Sequence, residues 1–133
     1  QDSLVRLLEQ DGRCELVGCD MTLDYQGELD PDKPYESMAR RLIDNVQNGP
    51  SIRRIRAAIA NAKALNADGV ILFCHWGCKQ TMGMALLARQ MLSDAGLPTL
   101  VLDGDGCDSR NVADGQMVTR ISAFLEQLEG LSS

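Results

Sequence analysis

Val70-Ile71-Leu72-Phe73-Cys74-His75-Trp76-Gly77-Cys78-Lys79 decides the architecture. Its first five residues are unbroken apolar and follow the turn pair Asp68-Gly69, the pattern of a parallel strand covered on both faces. Met84, Leu87, Met91 and Ala95 then recur at helical spacing, Gly96 stops that helix, and Pro98-Thr99-Leu100-Val101-Leu102 reads as a second buried strand. A strand, a helix and another strand in that order make a right-handed βαβ unit. Upstream, Ile52, Ile55, Ile59 and Leu65 predict a helix capped by Ser51. Met38, Leu42, Ile43 and Val46 predict another, closed by Asn48-Gly49-Pro50. Cys14 to Cys19 reads as a first strand, and Leu4, Val5, Leu7 and Leu8 as a short leading helix. After the turn Asp103 to Asn111, Met117, Ile121, Phe124, Leu125 and Leu128 define a last helix, with Asn111 and Asp114 spaced as cap and N3 acid.

The expected fold class is therefore α/β: an open parallel sheet of flavodoxin or Rossmann type wrapped by helices, with three strands recognised. A leading helix without a parent strand implies a further strand upstream. Residues 1–133 read as a single α/β domain, expected to be the C-terminal piece of a longer two-domain chain. Between Asp20 and Pro34 lie five acids against Lys33, with Pro31 and Pro34 as breakers; that stretch reads as a long acidic surface loop, either lid or mobile segment.

Composition narrows the function. The chain carries 13 Lys plus Arg against 19 Asp plus Glu, a net charge of −6 that opposes a sequence-independent grip on nucleic acid or anionic lipid. No apolar run approaches the ~20 residues of a membrane helix. An odd number of cysteines, five, with no secretory signal before them argues for reduced thiols and a cytoplasmic setting.

In open α/β sheets the ligand crevice lies beyond the carboxyl ends of the strands. All three expected strands end there in a cysteine-bearing stretch: Cys19-Asp20, Cys74-His75-Trp76-Gly77-Cys78-Lys79 and Asp103 to Arg110 with Cys107. Cys74 and Cys78 flank a strand-to-helix junction whose free N–H groups and dipole suit an anionic centre, and Lys79 and Arg110 add positive charge. Cys74, Cys78 and Cys107 are accordingly the candidate metal or cluster ligands, with Lys79 and Trp76 as further cofactor-binding residues and Trp76 as a hydrophobic lid. Cys14 reads as a small buried hydrophobe. Asp103-Gly104-Asp105-Gly106 is either a cation-binding loop or an ordinary turn, and the turn is the simpler reading. No residue is singled out as catalytic.

The block Ala67 to Gln80, then Gly96 to Asp105, Asp108-Ser109-Arg110-Asn111, Gly115-Gln116, Arg120-Ile121 and Phe124-Leu125, resembles the C-terminal domain of the 2-hydroxyacyl-CoA dehydratase D-component family. That family includes benzoyl-CoA reductase subunits and double-cubane cluster proteins, and the Cys74-His75-Trp76-Gly77-Cys78 block is nearest the double-cubane branch. The resemblance implies an oxygen-sensitive iron–sulfur protein that takes single low-potential electrons from an ATP-dependent activator with its own iron–sulfur cluster. It implies acyl-CoA or a related small molecule as substrate, dehydration through a ketyl radical or ring reduction as reaction, and a homo- or heterodimer. By the same resemblance Cys74 falls where relatives have a cluster-ligating cysteine, and Cys78 and Cys107 match further cysteines of the branch. The remaining ligands are expected in an N-terminal domain, so the fragment alone is expected to be inactive. Two rivals come from other classes. One is a zinc or other metal-binding module using Cys74, His75, Cys78 and Cys107. The other is a flavodoxin-like interaction domain without catalysis, with Asp20 or Asp103 at its strand ends.

Overall fold

The computed structural model describes residues 8–10, 12–22, 27–111 and 114–131. In chain order its elements are α1 (Pro34–Asp44), α2 (Ser51–Ala64), β1 (Val70–His75), α3 (Lys79–Asp94), β2 (Thr99–Gly104), a 3₁₀ turn (Ser109–Asn111) and α4 (Asp114–Leu131). β1 and β2 pair in parallel, Val70 opposite Thr99 through His75 opposite Gly104, and among the described residues they make up the whole sheet. The class is α/β with an open parallel sheet, as the βαβ pattern requires.

Alternation along β1 sorts the core into two layers. Val70 and Leu72 pack with Ile55, Ala62, Met84, Ala88, Leu92 and Leu97 from α2, α3 and the turn after α3. Ile71 and Phe73, with Leu100 of β2, pack on Leu102, Ile121 and Leu125 and thus against α4, with Leu8 and Cys14 closing that side. Leu102 and Ile121 are each 1% exposed. Gly69 admits α4 to the head of β1: an added Cβ would stand 2.9 Å from Phe124 Cζ and 3.0 Å from Leu128.

Four local expectations are corrected. Cys14–Cys19 is not a strand, and its residues 15–19 are exposed; the sheet of the described residues consists of β1 and β2. Of the leading helix only 8–10 falls inside the described residues, and these are helical. α1 begins at Pro34, whose fixed φ suits a first helical position, so this proline starts the helix rather than breaking the chain. Its Met38, Leu42 and Ile43 are exposed, and Val46 lies beyond its end. Ser51 is the first helical residue of α2 and Pro50 stands at the cap position, with no side-chain capping bond. The join between α1 and α2 is held instead by Arg53, whose guanidinium donates to the Ile43 and Asp44 carbonyls at 3.0 Å each, satisfying acceptors left open at the end of α1. No described helix is long and apolar enough to cross a membrane.

Candidate functional site

α2 precedes β1 and α3 follows it, so the first turns of both helices meet the carboxyl end of the strand. A bond from Gln80 Nε2 to the Gln47 carbonyl, 2.9 Å, ties the head of α3 to the connection that leads into α2. Cys74, on the face of Val70 and Leu72, is 1% exposed, and its Sγ lies 3.7 Å from the Thr81 carbonyl. Burial, with Asp103 and Cys78 as further contributors, pushes its thiol pKa up. Cys78 occupies the cap position of α3 without a well-formed capping bond. The Thr81 hydroxyl, then the Thr81 and Gln80 amides, nevertheless hold its thiol below the ordinary value. The two thiols are therefore near neighbours of opposite character: one shut away with its pKa raised, the other half-buried with its pKa lowered.

Arg54, in the first turn of α2, is buried to 9% exposure and meets Asp20, from the loop after 14–19, through Nε at 2.8 Å and Nη2 at 2.7 Å. Its charge acts in the lowering direction on both thiols, as the last of the causes at each, and does not reverse the rise at Cys74. Arg54 is not among the residues singled out from sequence as site residues, and Asp20 is named there only at an expected strand end. In the sequence Arg54 is one of three arginines, with Arg53 and Arg56, and nothing local sets it apart from them.

His75, one residue further on β1, points to the other layer. Its Nδ1 accepts from the Gly106 amide at 3.0 Å and lies 3.7 Å from Asp105 Oδ1. Ligand atoms of His75, Asp105 and Cys107 all lie within 4.8 Å of one another; among the described residues this is the three-donor group that forms, and Cys74, Cys78 and Cys107 do not make one. Asp105 organises the turn: Oδ1 accepts from the Cys107 and Asp108 amides at 2.9 and 3.1 Å, and Oδ2 from Asn111 Nδ2 at 2.9 Å. These bonds, Asn111 first, hold its carboxyl pKa below the usual range. Asn111 thus belongs to a 3₁₀ turn and to Asp105, while α4 begins at Asp114. Asp103-Gly104-Asp105-Gly106 is a strand end running into a hydrogen-bonded turn.

The remaining candidates take defined places. Trp76 is 54% exposed, and its Nε1 donates to Asp103 Oδ2 at 3.3 Å, so the indole stands at the rim tethered to β2. Lys79 is the exposed first residue of α3. Arg110 is spent on Asp108 at 2.6 Å and adds little free charge. Cys19 is exposed, and Cys14 is partly buried with its Sγ 3.4 Å from the Leu8 carbonyl. No disulfide links the five cysteines.

Comparison with known proteins draws these features together. Over 63 residues, 47% of this chain, the sequence is 36% identical to (R)-2-hydroxyglutaryl-CoA dehydratase, subunit alpha, of Acidaminococcus fermentans. Over 96 residues, 69% of this chain, it is 30% identical to the (R)-phenyllactyl-CoA dehydratase alpha subunit of Clostridium sporogenes. The matched stretches span 13% and 24% of those two relatives. The family model described as 2-hydroxyglutaryl-CoA dehydratase, D-component, matches residues 1–128, thiol junction and Asp105 turn included, and the chain belongs to that family.

Proposed function

We propose that this chain is the C-terminal domain of an iron–sulfur component of a 2-hydroxyacyl-CoA dehydratase or a related reductase. The observation that carries the reading is the thiol pair Cys74 and Cys78 at the β1–α3 junction of a chain that belongs to this family. The donors there fit a thiolate-bound centre. Two soft sulfurs are neighbours, amide dipoles favour the anion of one, and a buried guanidinium stands by both. Cys74 and Cys78 would hold the centre from this side. Cys107 is the third thiol the reading calls on, and to join it must leave its turn with His75 and Asp105. Further ligands come from the rest of a longer protein. When bound, such a centre supplies single low-potential electrons, received from an ATP-driven activator, to an acyl-CoA substrate.

The residues of this chain have separate tasks in that reading. Cys78, with its lowered pKa, would be the readier thiolate ligand, and Cys74, whose burial raises its pKa, the one that costs more to ionise. Trp76, held by Asp103, screens the rim from water, and Lys79 adds a cation at the head of α3. Both relatives carry the name of an alpha subunit, which supports an assembly of more than one subunit, and reduced thiols suit a cytoplasmic setting.

Anaerobic reconstitution of the full-length protein with iron and sulfide tests this. Cys78→Ser and Cys74→Ser should each lower bound iron and visible absorbance; wild-type iron in both variants would overturn the reading. A second reading, a divalent-metal module, draws on the His75, Asp105 and Cys107 group. Against it, the His75 Nδ1 lone pair is engaged by the Gly106 amide, so the neutral ring carries its proton on Nε2 and offers a metal neither nitrogen without losing that bond. One zinc per chain with no iron would favour this module.

A further inference from the structure

We propose that Arg54 and Asp20 form a charge-setting pair for the Cys74 and Cys78 junction, Arg54 stabilising an anionic sulfur-held centre there and Asp20 limiting that effect. The inference rests on the cluster reading above and deepens it.

Arg54 is a buried cation near the head of a helix. It stands in the first turn of α2, next to Ile55, which shares a core cluster with Met84 of α3 and with Val70 and Leu72 of β1, and it is itself buried to 9% exposure. Burying an ion pair is a poor route to stability, because the desolvation of both charges offsets most of their attraction, so its presence at this rim calls for another use. The pair is also unequal. Asp20 keeps a 35% exposed side chain and Arg54 only 10%, so water screens the carboxylate more than the guanidinium. The geometry is incomplete as well: Nε and Nη2 both reach the same oxygen, Asp20 Oδ2, and Nη1 makes no hydrogen bond to a described residue. A positive group so placed, with donor capacity left over, favours negative charge in its surroundings. That charge would be the sulfur-bound centre.

Asp20 adds a positional role. It follows the 14–19 segment, which pairs with neither strand, and its contact with Arg54 pins the end of that segment to the rim. Arg54 is in this sense a positioning residue, acting on the thiols through the field and through the chain it anchors.

The test uses the full-length protein, reconstituted anaerobically, with Arg54→Met, Arg54→Lys and Asp20→Asn. Iron content, visible absorbance and the midpoint potential of the centre are read for each. Removing the cation should shift the potential in the negative direction, because the more reduced, more negative form loses its stabilising neighbour. Asp20→Asn should shift it in the positive direction, and Arg54→Lys should leave it close to wild type. Opposite shifts at unchanged iron content are what a merely structural pair would not give. Iron bound normally with both potentials unmoved overturns this inference alone. Parallel loss of iron in Arg54→Met and Asp20→Asn also overturns it, since it marks a pair that only holds the chain. Wild-type protein that takes up no iron brings down the cluster reading itself, and this inference with it. If Arg54→Met does not fold, Asp20→Asn decides: a positive shift supports the pair, and an unmoved potential overturns it.

Discussion

Cys74 and Cys78 are four positions apart, yet their surroundings drive them in opposite directions, and the difference is measurable with an alkylating agent. In the metal-free chain near pH 8, Cys78 should react with iodoacetamide on the order of tenfold or more faster than Cys74, since thiolate is the attacking form and Cys78 has both the more accessible sulfur and the lower pKa. Mass spectrometry of the partly labelled protein reads the order; Cys74 labelled first would contradict the burial. Asp105 offers a second check, because one carboxylate holds two amides and the Asn111 side chain. Asp105→Ala should release the Cys107 and Asp108 amides to fast hydrogen exchange while leaving those of β1 protected. The individual chemistry of these residues was legible only in part. The spacing of Cys74 and Cys78 at a strand-to-helix junction could be read from the letters, whereas the meeting of His75 with Cys107 could not. That meeting depends on strand parity and on a turn built by Asp105, and the same parity sends Cys74 to the opposite layer.

Among the elements, α3 forms where its spacing predicts but buries Met84, Ala88 and Leu92 and leaves Leu87 of the expected stripe exposed, whereas β1, β2 and α4 follow directly from their apolar patterns. α1 does not: Met38, Leu42 and Ile43 sit on an amphipathic pattern that finds no partner layer among the described residues, and periodicity alone does not say what lies opposite. The 14–19 segment failed as a strand for a related reason, since a short apolar stretch forms a strand only where an edge is available to pair with it. The capping expectation at Ser51 fails because the helix starts one residue early, at Ser51 itself, while Arg53 serves the carbonyls at the end of α1. The contact between α4 and the turn before β1 carries its own prediction. Gly69→Ala drives a methyl against the Phe124 ring and Leu128, overpacking worth about 1–3 kcal/mol, and a lowered urea midpoint should report it.

For the molecule as a whole, ionisable groups with shifted pKa values set where stability slopes with pH, and on the alkaline side the lowered value of Cys78 opposes the raised value of Cys74. Asp105 and Asp108 have folded pKa values below the ordinary 3.8, Asp108 chiefly through the Arg110 side chain, so their contribution is complete above that value. It is lost as pH falls through the lowered folded values. Cys74 has the opposite sign. Its folded pKa is raised above 9.0, so its contribution is complete below pH 9 and is lost as pH rises through the folded value. Denaturation midpoints followed against pH should fall at the acid end, and Cys74→Ala should raise the alkaline end relative to the acid one while leaving the acid slope in place.

The pleat of β1 carries a lesson for transplantation. Because consecutive side chains leave the strand on opposite sides, moving the Cys74 to Cys78 motif onto another parallel sheet demands that the host strand match in odd and even count, not merely in length. A graft one residue out of step would deliver the imidazole to the layer meant for the sulfur, and the copied letters would spell a different site.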